Sequence, residues 1–284
     1  MKKPYVISEE LGLAGQINRE NIDVFRESLD DNLRNMGKMA VWVNEYTIRT
    51  GMEELAEQTS LPVLNLDDRY LRNSDEYIGL SRAVVRRGNK YVSSGYASRV
   101  GYSSIDDQIA KITQQYAGKE LVLADDVVFS GQMIEDLSNM LEKRNIKVRG
   151  VIAGIAIGEG VDRVSRLGVD IEAVESFSDV EDELCERDFT LIRGSGRRSA
   201  IEPGCVDGAN VLYFDPRWGD PVSWMSLPEG QERSFWLQNL RRNQRLLPPE
   251  RPASTIGPFV GVSQSGSVGG AINELLDEAE NGRK

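Results

Sequence analysis

The chain is predicted to be an α/β protein: a mainly parallel sheet with helices on both faces, plus a C-terminal extension. Three observations carry this. Apolar runs that scarcely alternate recur at 39–44, 61–66, 121–123 and 148–157, as expected of strands covered on both sides. Stretches between them place apolar residues three and four apart, which is helical spacing. The turns joining the two kinds of segment are short, so strand–helix–strand passages are expected to wind as right-handed βαβ units.

A first helix is expected over 21–35, with Ile22, Phe25, Leu29 and Leu33 on one face. The run Met39 to Asn44 reads as a buried strand. Glu45 to Thr50 reads as a polar turn, followed from Gly51 by a helix through Gln58 and then a strand over Leu61–Leu66. The interval from Tyr70 to Glu120 is polar and contains Arg82, Arg86, Arg87, Lys90 and Arg99. From the residues alone it reads as a solvated β-hairpin and its charges. Ile105, Ile109 and Ile112 mark an amphipathic helix ending at Tyr116. A strand over 148–157, a short helix over 161–167 and a strand over 169–174 complete the alternation.

The segment from Leu121 to Met133 holds the clearest chemistry. Leu121 to Leu123 is the buried strand, and Asp125 and Asp126 are expected at its carboxyl end, where open α/β sheets bind ligands. Met133, Ile134, Leu137, Met140 and Leu141 then recur at helical spacing to about Arg144. Ser130 and Gly131 suit a cap and a close backbone approach. Two carboxylates can accept hydrogen bonds from hydroxyls or sit beside a metal. The amides of a helix start can hold an anion. A sugar phosphate presents both kinds of group, so both carboxylates and the following amides are expected to face one pocket sized for a phosphorylated pentose. The plainer alternative is a strand–turn–helix whose acids only cap the helix.

This segment resembles the signature of the type I phosphoribosyltransferase family: an apolar strand, two acids, two variable residues, then a Thr/Ser–Gly loop. The match runs through Asp125, Asp126, Val127 and Val128 to Phe129, Ser130, Gly131, Gln132 and Met133. Phe129, Gln132 and Met133 stand where Thr, Gly and Thr are usual, so two hydroxyl donors are missing. The resemblance implies that the acids contact the ribose hydroxyls of phosphoribosyl pyrophosphate (PRPP), with Mg²⁺ reached through substrate or water. It also implies that residues 127–133 cradle the 5′-phosphate. The pyrophosphate loop falls by position on 45–50, which makes Thr47 and Arg49 candidate substrate ligands, the guanidinium fork suiting phosphate oxygens. By the same resemblance the 93–96 loop is a lid, and a hood selecting the acceptor comes from the N-terminal residues or from those after Phe177.

The implied domains are a phosphoribosyltransferase-like unit over 1–180, an extension of mixed structure over 181–250, and a linker with a short acidic helix over 251–284. In the extension, 210–214 reads as a strand and 231–246 as a helix ended by Pro248-Pro249. The Gly194–Ser199 stretch reads as a surface turn or a basic anion loop, 251–270 as a Pro/Gly/Ser linker, and 271–279 as an amphipathic helix.

Composition narrows the chemistry. The 284 residues include no histidine, which excludes Ser-His-Asp and Cys-His catalysis and histidine-ligated zinc. Two cysteines, Cys185 and Cys205, make neither a disulfide framework nor a zinc site. A net charge of −11 disfavours general nucleic-acid binding, and no apolar run is long enough to span a bilayer, so a cytoplasmic protein is expected. The expected activity is transfer of phosphoribosyl from PRPP to a nitrogen acceptor, a nucleobase, with release of pyrophosphate. A catalytically inactive PRPP- or nucleotide-binding regulator of the same fold is the alternative, and a receiver-like phospho-acceptor domain ranks below both. PRPP or a nucleoside monophosphate and a nucleobase-like acceptor are the implied partners, with a homodimer as a possible assembly.

Overall fold

The computed structural model describes residues 3–14, 17–67, 69–71, 76–192, 198–201 and 209–281. The chain forms two compact units. One comprises Val43–Leu80 and Tyr102–Val180; the other comprises Met1–Trp42, Ser81–Gly101 and Glu181–Lys284.

The first unit is built on a five-stranded sheet. Its strands are β3 (Val63–Asn65), β4 (Glu76–Tyr77), β7 (Glu120–Val128), β8 (Lys147–Ile157) and β9 (Asp170–Phe177), in the order β4-β3-β7-β8-β9. All four pairings are parallel. Helices α3 (Ile105–Tyr116), α4 (Gln132–Glu142) and α5 (Gly158–Arg166) pack Ile109, Ile112, Ile134, Leu137, Leu141 and Val164 onto Leu121, Leu123, Val151 and Ala153. The next residue along β8, Gly154, faces the other way. A Cβ there would lie 2.6 Å from Ile48 Cγ2 and 3.3 Å from Met52 Sδ, so α2 (Glu45–Gln58) covers the opposite face. Helices therefore lie on both faces of a parallel sheet, the predicted fold class.

The second unit gathers three stretches of chain. In one sheet β1 (Tyr5–Ser8) lies between β10 (Asp182–Cys185) and β2 (Ala40–Val43). Another has the order β11 (Arg198–Ile201), β5 (Leu80–Arg87), β6 (Lys90–Ser98). Helices α1 (Arg19–Asn35), α6 (Pro221–Met225), α7 (Glu232–Leu246) and α8 (Val268–Asn281) share one apolar core with them. Tyr5, Ile7, Phe25, Leu29, Phe189, Phe235, Leu240 and Ile272 are among its buried members. Glu186, fully buried, ties the stretches together. It accepts the amides of Glu10 and Leu11 at 2.8 and 2.9 Å, and the Arg26 fork at 2.6 and 3.0 Å.

Several expectations change here. The units divide the chain differently from 1–180, 181–250 and 251–284, because β1 pairs with β10 and the α1 face is buried among C-terminal residues. The strand near 40 exists, but it joins β1 rather than β3, so no βαβ unit forms from 40 to 65. Residues 93–96 lie inside β6, and the turn of its hairpin with β5 is at Gly88, φ +66°; the hairpin alternative holds over the loop tip. Asn210 makes isolated bridges instead of a strand. The 251–270 segment buries Ala253, Ile256, Phe259 and Val262 in the core, so it is packed structure and not a linker. Residues 194–197 and Cys205 lie outside the described residues.

Candidate functional site

Strand β7 runs on through Val128, so Asp125 and Asp126 are strand residues and not the first residues beyond it. Both are nearly buried, at 3% and 6% exposure. The pleat sends successive side chains to opposite faces. Leu121 and Leu123 share the face that meets α3 and α4, yet Val128, of opposite parity, packs into the same core, so the alternation breaks between 123 and 128. A regular strand would part the two carboxylates, but β7 is not regular over this stretch. Pairing explains what happens instead. β3 accompanies β7 only to Ala124, whose carbonyl accepts from Leu66 N at 2.7 Å. Past that point Asp125 Oδ1 accepts the amide of Asp126 at 3.1 Å, and Asp126 Oδ1 accepts that of Val127 at 2.9 Å.

Phe129 and Ser130 form a bend, and Gly131 enters α4 with φ +70°, a conformation that favours glycine. No side chain caps α4. Ser130 Oγ approaches the amide of Gln132 at 3.4 Å, a long contact. The turn is seated closely on the backbone of α5. A Cβ on Gly131 would lie 2.9 Å from Gly160 O, and one on Gly160 would lie 2.4 Å from Phe129 O and 2.8 Å from Val128 O. Gln132 is tied down: its Nε2 donates to Asp136 Oδ1 at 3.0 Å, and its Oε1 accepts from Arg163 Nη1 at 2.5 Å. Arg163 Nη1 also reaches Glu135 Oε2 at 3.0 Å. Met133 follows in the first turn of α4, partly buried against the core.

The expected pyrophosphate loop is helical. Asn44 Oδ1 accepts the amides of Tyr46 and Thr47 at 2.9 and 3.4 Å and so starts α2 at Glu45, ahead of Gly51. No cis peptide occurs among the described residues. Ile48 meets the sheet beside Gly154 and Asp126 O, together with Met52. Thr47 is exposed, and Arg49 stacks over Tyr46 at 5.7 Å. The structure thus collects residues 125–133 around one strand–turn–helix passage and leaves Thr47 and Arg49 on the flanks of a neighbouring helix. Gly160 and Arg163 escape a sequence reading. The Gly158-x-Gly160 spacing at the end of a strand was their one visible signal.

Carboxylate oxygens of this kind suit a hard divalent cation, directly or through water. Uncapped amides after a left-handed glycine suit a phosphate.

No family model and no curated protein matches this chain. Solved structures do match over just under half of it. UMP synthase of Leishmania donovani is 14% identical, with a TM-score of 0.30, over 47% of this chain and 27% of its own. The adenine phosphoribosyltransferase of Thermoanaerobacter pseudethanolicus is 15% identical, with a TM-score of 0.30, over 46% and 79%. The orotate phosphoribosyltransferase of Aeropyrum pernix is 16% identical, with a TM-score of 0.31, over 46% and 71%. The chain thus spans about a quarter of the first of these. No helix among the described residues is long and apolar enough to cross a membrane.

Proposed function

We propose that the β7–α4 passage binds a phosphorylated pentose and that the protein transfers phosphoribosyl from PRPP to a nitrogen acceptor, a nucleobase, releasing pyrophosphate. The observation that carries this is the left-handed, uncapped Gly131 turn feeding a helix directly after two buried carboxylates. Ser130 and the amides of 131–133 hold the 5′-phosphate at the positive end of α4. Asp125 and Asp126 accept the ribose hydroxyls, and their charge stabilises the cationic sugar as the bond to pyrophosphate lengthens. Mg²⁺, when bound with the substrate, neutralises the pyrophosphate. Turnover needs positioning and charge more than a proton shuttle, which suits a chain without histidine.

A second reading, a nucleotide-binding regulator without turnover, is favoured by one observation: Phe129, Gln132 and Met133 stand where the resembled loop carries Thr, Gly and Thr.

Pyrophosphate release from PRPP, screened over nucleobases, separates the two. The double variant Asp125→Asn, Asp126→Asn is expected to stay folded and lose turnover at least a hundredfold; unchanged turnover ends the mechanism. Nucleotide binding by calorimetry without any pyrophosphate release selects the regulator. Binding of neither PRPP nor nucleotides defeats both readings.

A further inference from the structure

We propose that Arg163 is the charge partner of the phosphate held at the Phe129–Gly131 turn, a role that rests on the reading of that turn given above. The seat of the residue is the first argument. Gly160 lets the start of α5 meet the carbonyls of Val128 and Phe129 without any intervening side chain. Arg163 follows three residues later, on the same side of the helix. Its Cβ lies 3.3 Å from where a Cβ on Gly131 would stand. The residue is therefore fixed beside the turn by backbone packing.

Charge is the second argument. Glu135 occupies the first turn of α4, where it complements the helix but repels a second anion. Arg163 Nη1 lies 3.0 Å from Glu135 Oε2 and cancels that repulsion. The same nitrogen holds Gln132 Oε1 at 2.5 Å, while Asp136 takes the Gln132 amide one turn further on. Gln132, which stands where a glycine is usual, is thereby drawn along the helix flank.

The third argument is unused donor capacity. Arg163 makes its side-chain bonds through Nη1, its Nε has no hydrogen-bond partner, and the side chain is 31% exposed, so donor capacity remains. Phe129 and Met133 offer no hydroxyl, so Ser130 is the one hydroxyl donor of the 129–133 segment. A guanidinium adds a donor, with charge assistance.

The test compares a 5′-phosphate with a 5′-hydroxyl on the intact protein, by calorimetry with AMP and UMP against adenosine and uridine, and with PRPP. Arg163→Met is expected to weaken the monophosphates and PRPP tenfold or more and to leave the nucleosides unchanged. Arg163→Lys recovers part of the loss, and adding Glu135→Gln to Arg163→Met recovers part as well. Equal weakening of nucleosides and nucleotides reduces Arg163 to a structural residue and overturns the proposal, as does no change at all. If Arg163→Met does not fold, Arg163→Lys decides: its monophosphate affinity must fall several-fold with nucleoside affinity intact. If the unaltered protein binds no phosphorylated pentose, the reading of the turn fails first and the role of Arg163 fails with it. Loss confined to the variant fails neither.

Discussion

Gly131 carries two constraints at once. Its φ of +70° costs a side-chain-bearing residue about 1–2 kcal/mol, and the added Cβ would sit 2.9 Å from a carbonyl that is itself backbone. Gly131→Ala is therefore expected to lower stability by more than about 1 kcal/mol. In a chain of this size that lowers Tm by at least about 2–4 °C, measured by thermal unfolding followed by circular dichroism. An unshifted Tm means that the turn relaxes freely and is not the rigid cradle described above. At this scale the sequence is legible where chemistry is local. The Asp125-Asp126 pair and the Ser130-Gly131 turn are visible as a string of letters. Arg163 is not, because its partners Gln132 and Glu135 are 31 and 28 positions away, and nothing local marks a hydrogen bond or a salt bridge between two helices. That β7 runs on through Val128 is not visible either, because Leu121–Leu123 alone does not reveal the end of the strand.

At the level of elements, periodicity identifies most pieces and little of their company. The apolar run at 39–44 marks a strand, but its neighbour is chosen by long-range pairing, and β1 wins over β3. The polar stretch at 45–50 looks like a turn because Gly51 suggests a helix start; Asn44 starts the helix earlier through its side chain. Gly51 leaves room for the sheet instead, since a Cβ there would lie 2.6 Å from Val174 Cγ1. The most C-terminal helix is the clearest underestimate. It looks like an acidic tail, yet Val268, Ala271, Ile272, Leu275 and Ala279 are all buried, and Glu278 pairs with Arg217. Ile272 is fully buried, so Ile272→Ala is expected to cost about 2–5 kcal/mol, read as a lower urea midpoint at unchanged m-value. A cost below about 1 kcal/mol would show α8 to be loosely docked.

Across the whole molecule, the second unit closes through contacts between the two ends of the chain. The Tyr5 hydroxyl donates toward Met225 O at 2.9 Å and Ser226 O at 2.6 Å, 220 and 221 positions away. Burial, followed by the charges of Glu181 and Asp182, raises the pKa of this phenol well above its ordinary 10.0. The folded protein therefore keeps the proton that the unfolded chain gives up. The contribution of this linkage is complete below about pH 10 and declines as pH rises beyond it. Tyr5→Phe should lose about 1 kcal/mol at neutral pH through the missing hydrogen bond, and should show a shallower fall between pH 9 and 11 than the parent. Urea midpoints across that range measure both, and parallel curves would mean that Tyr5 does not govern the alkaline limit.

The parallel pairing of residues 5–8 with residues 182–185 also has a consequence for synthesis. A ribosome adding about 5–20 residues per second releases the first strand roughly 10–35 s before its partner emerges. For that interval the aromatic and aliphatic face of residues 5–33 has no mate from its own chain. A nascent chain of this protein should thus be a good client for holding chaperones, and slower translation should prolong the hazard.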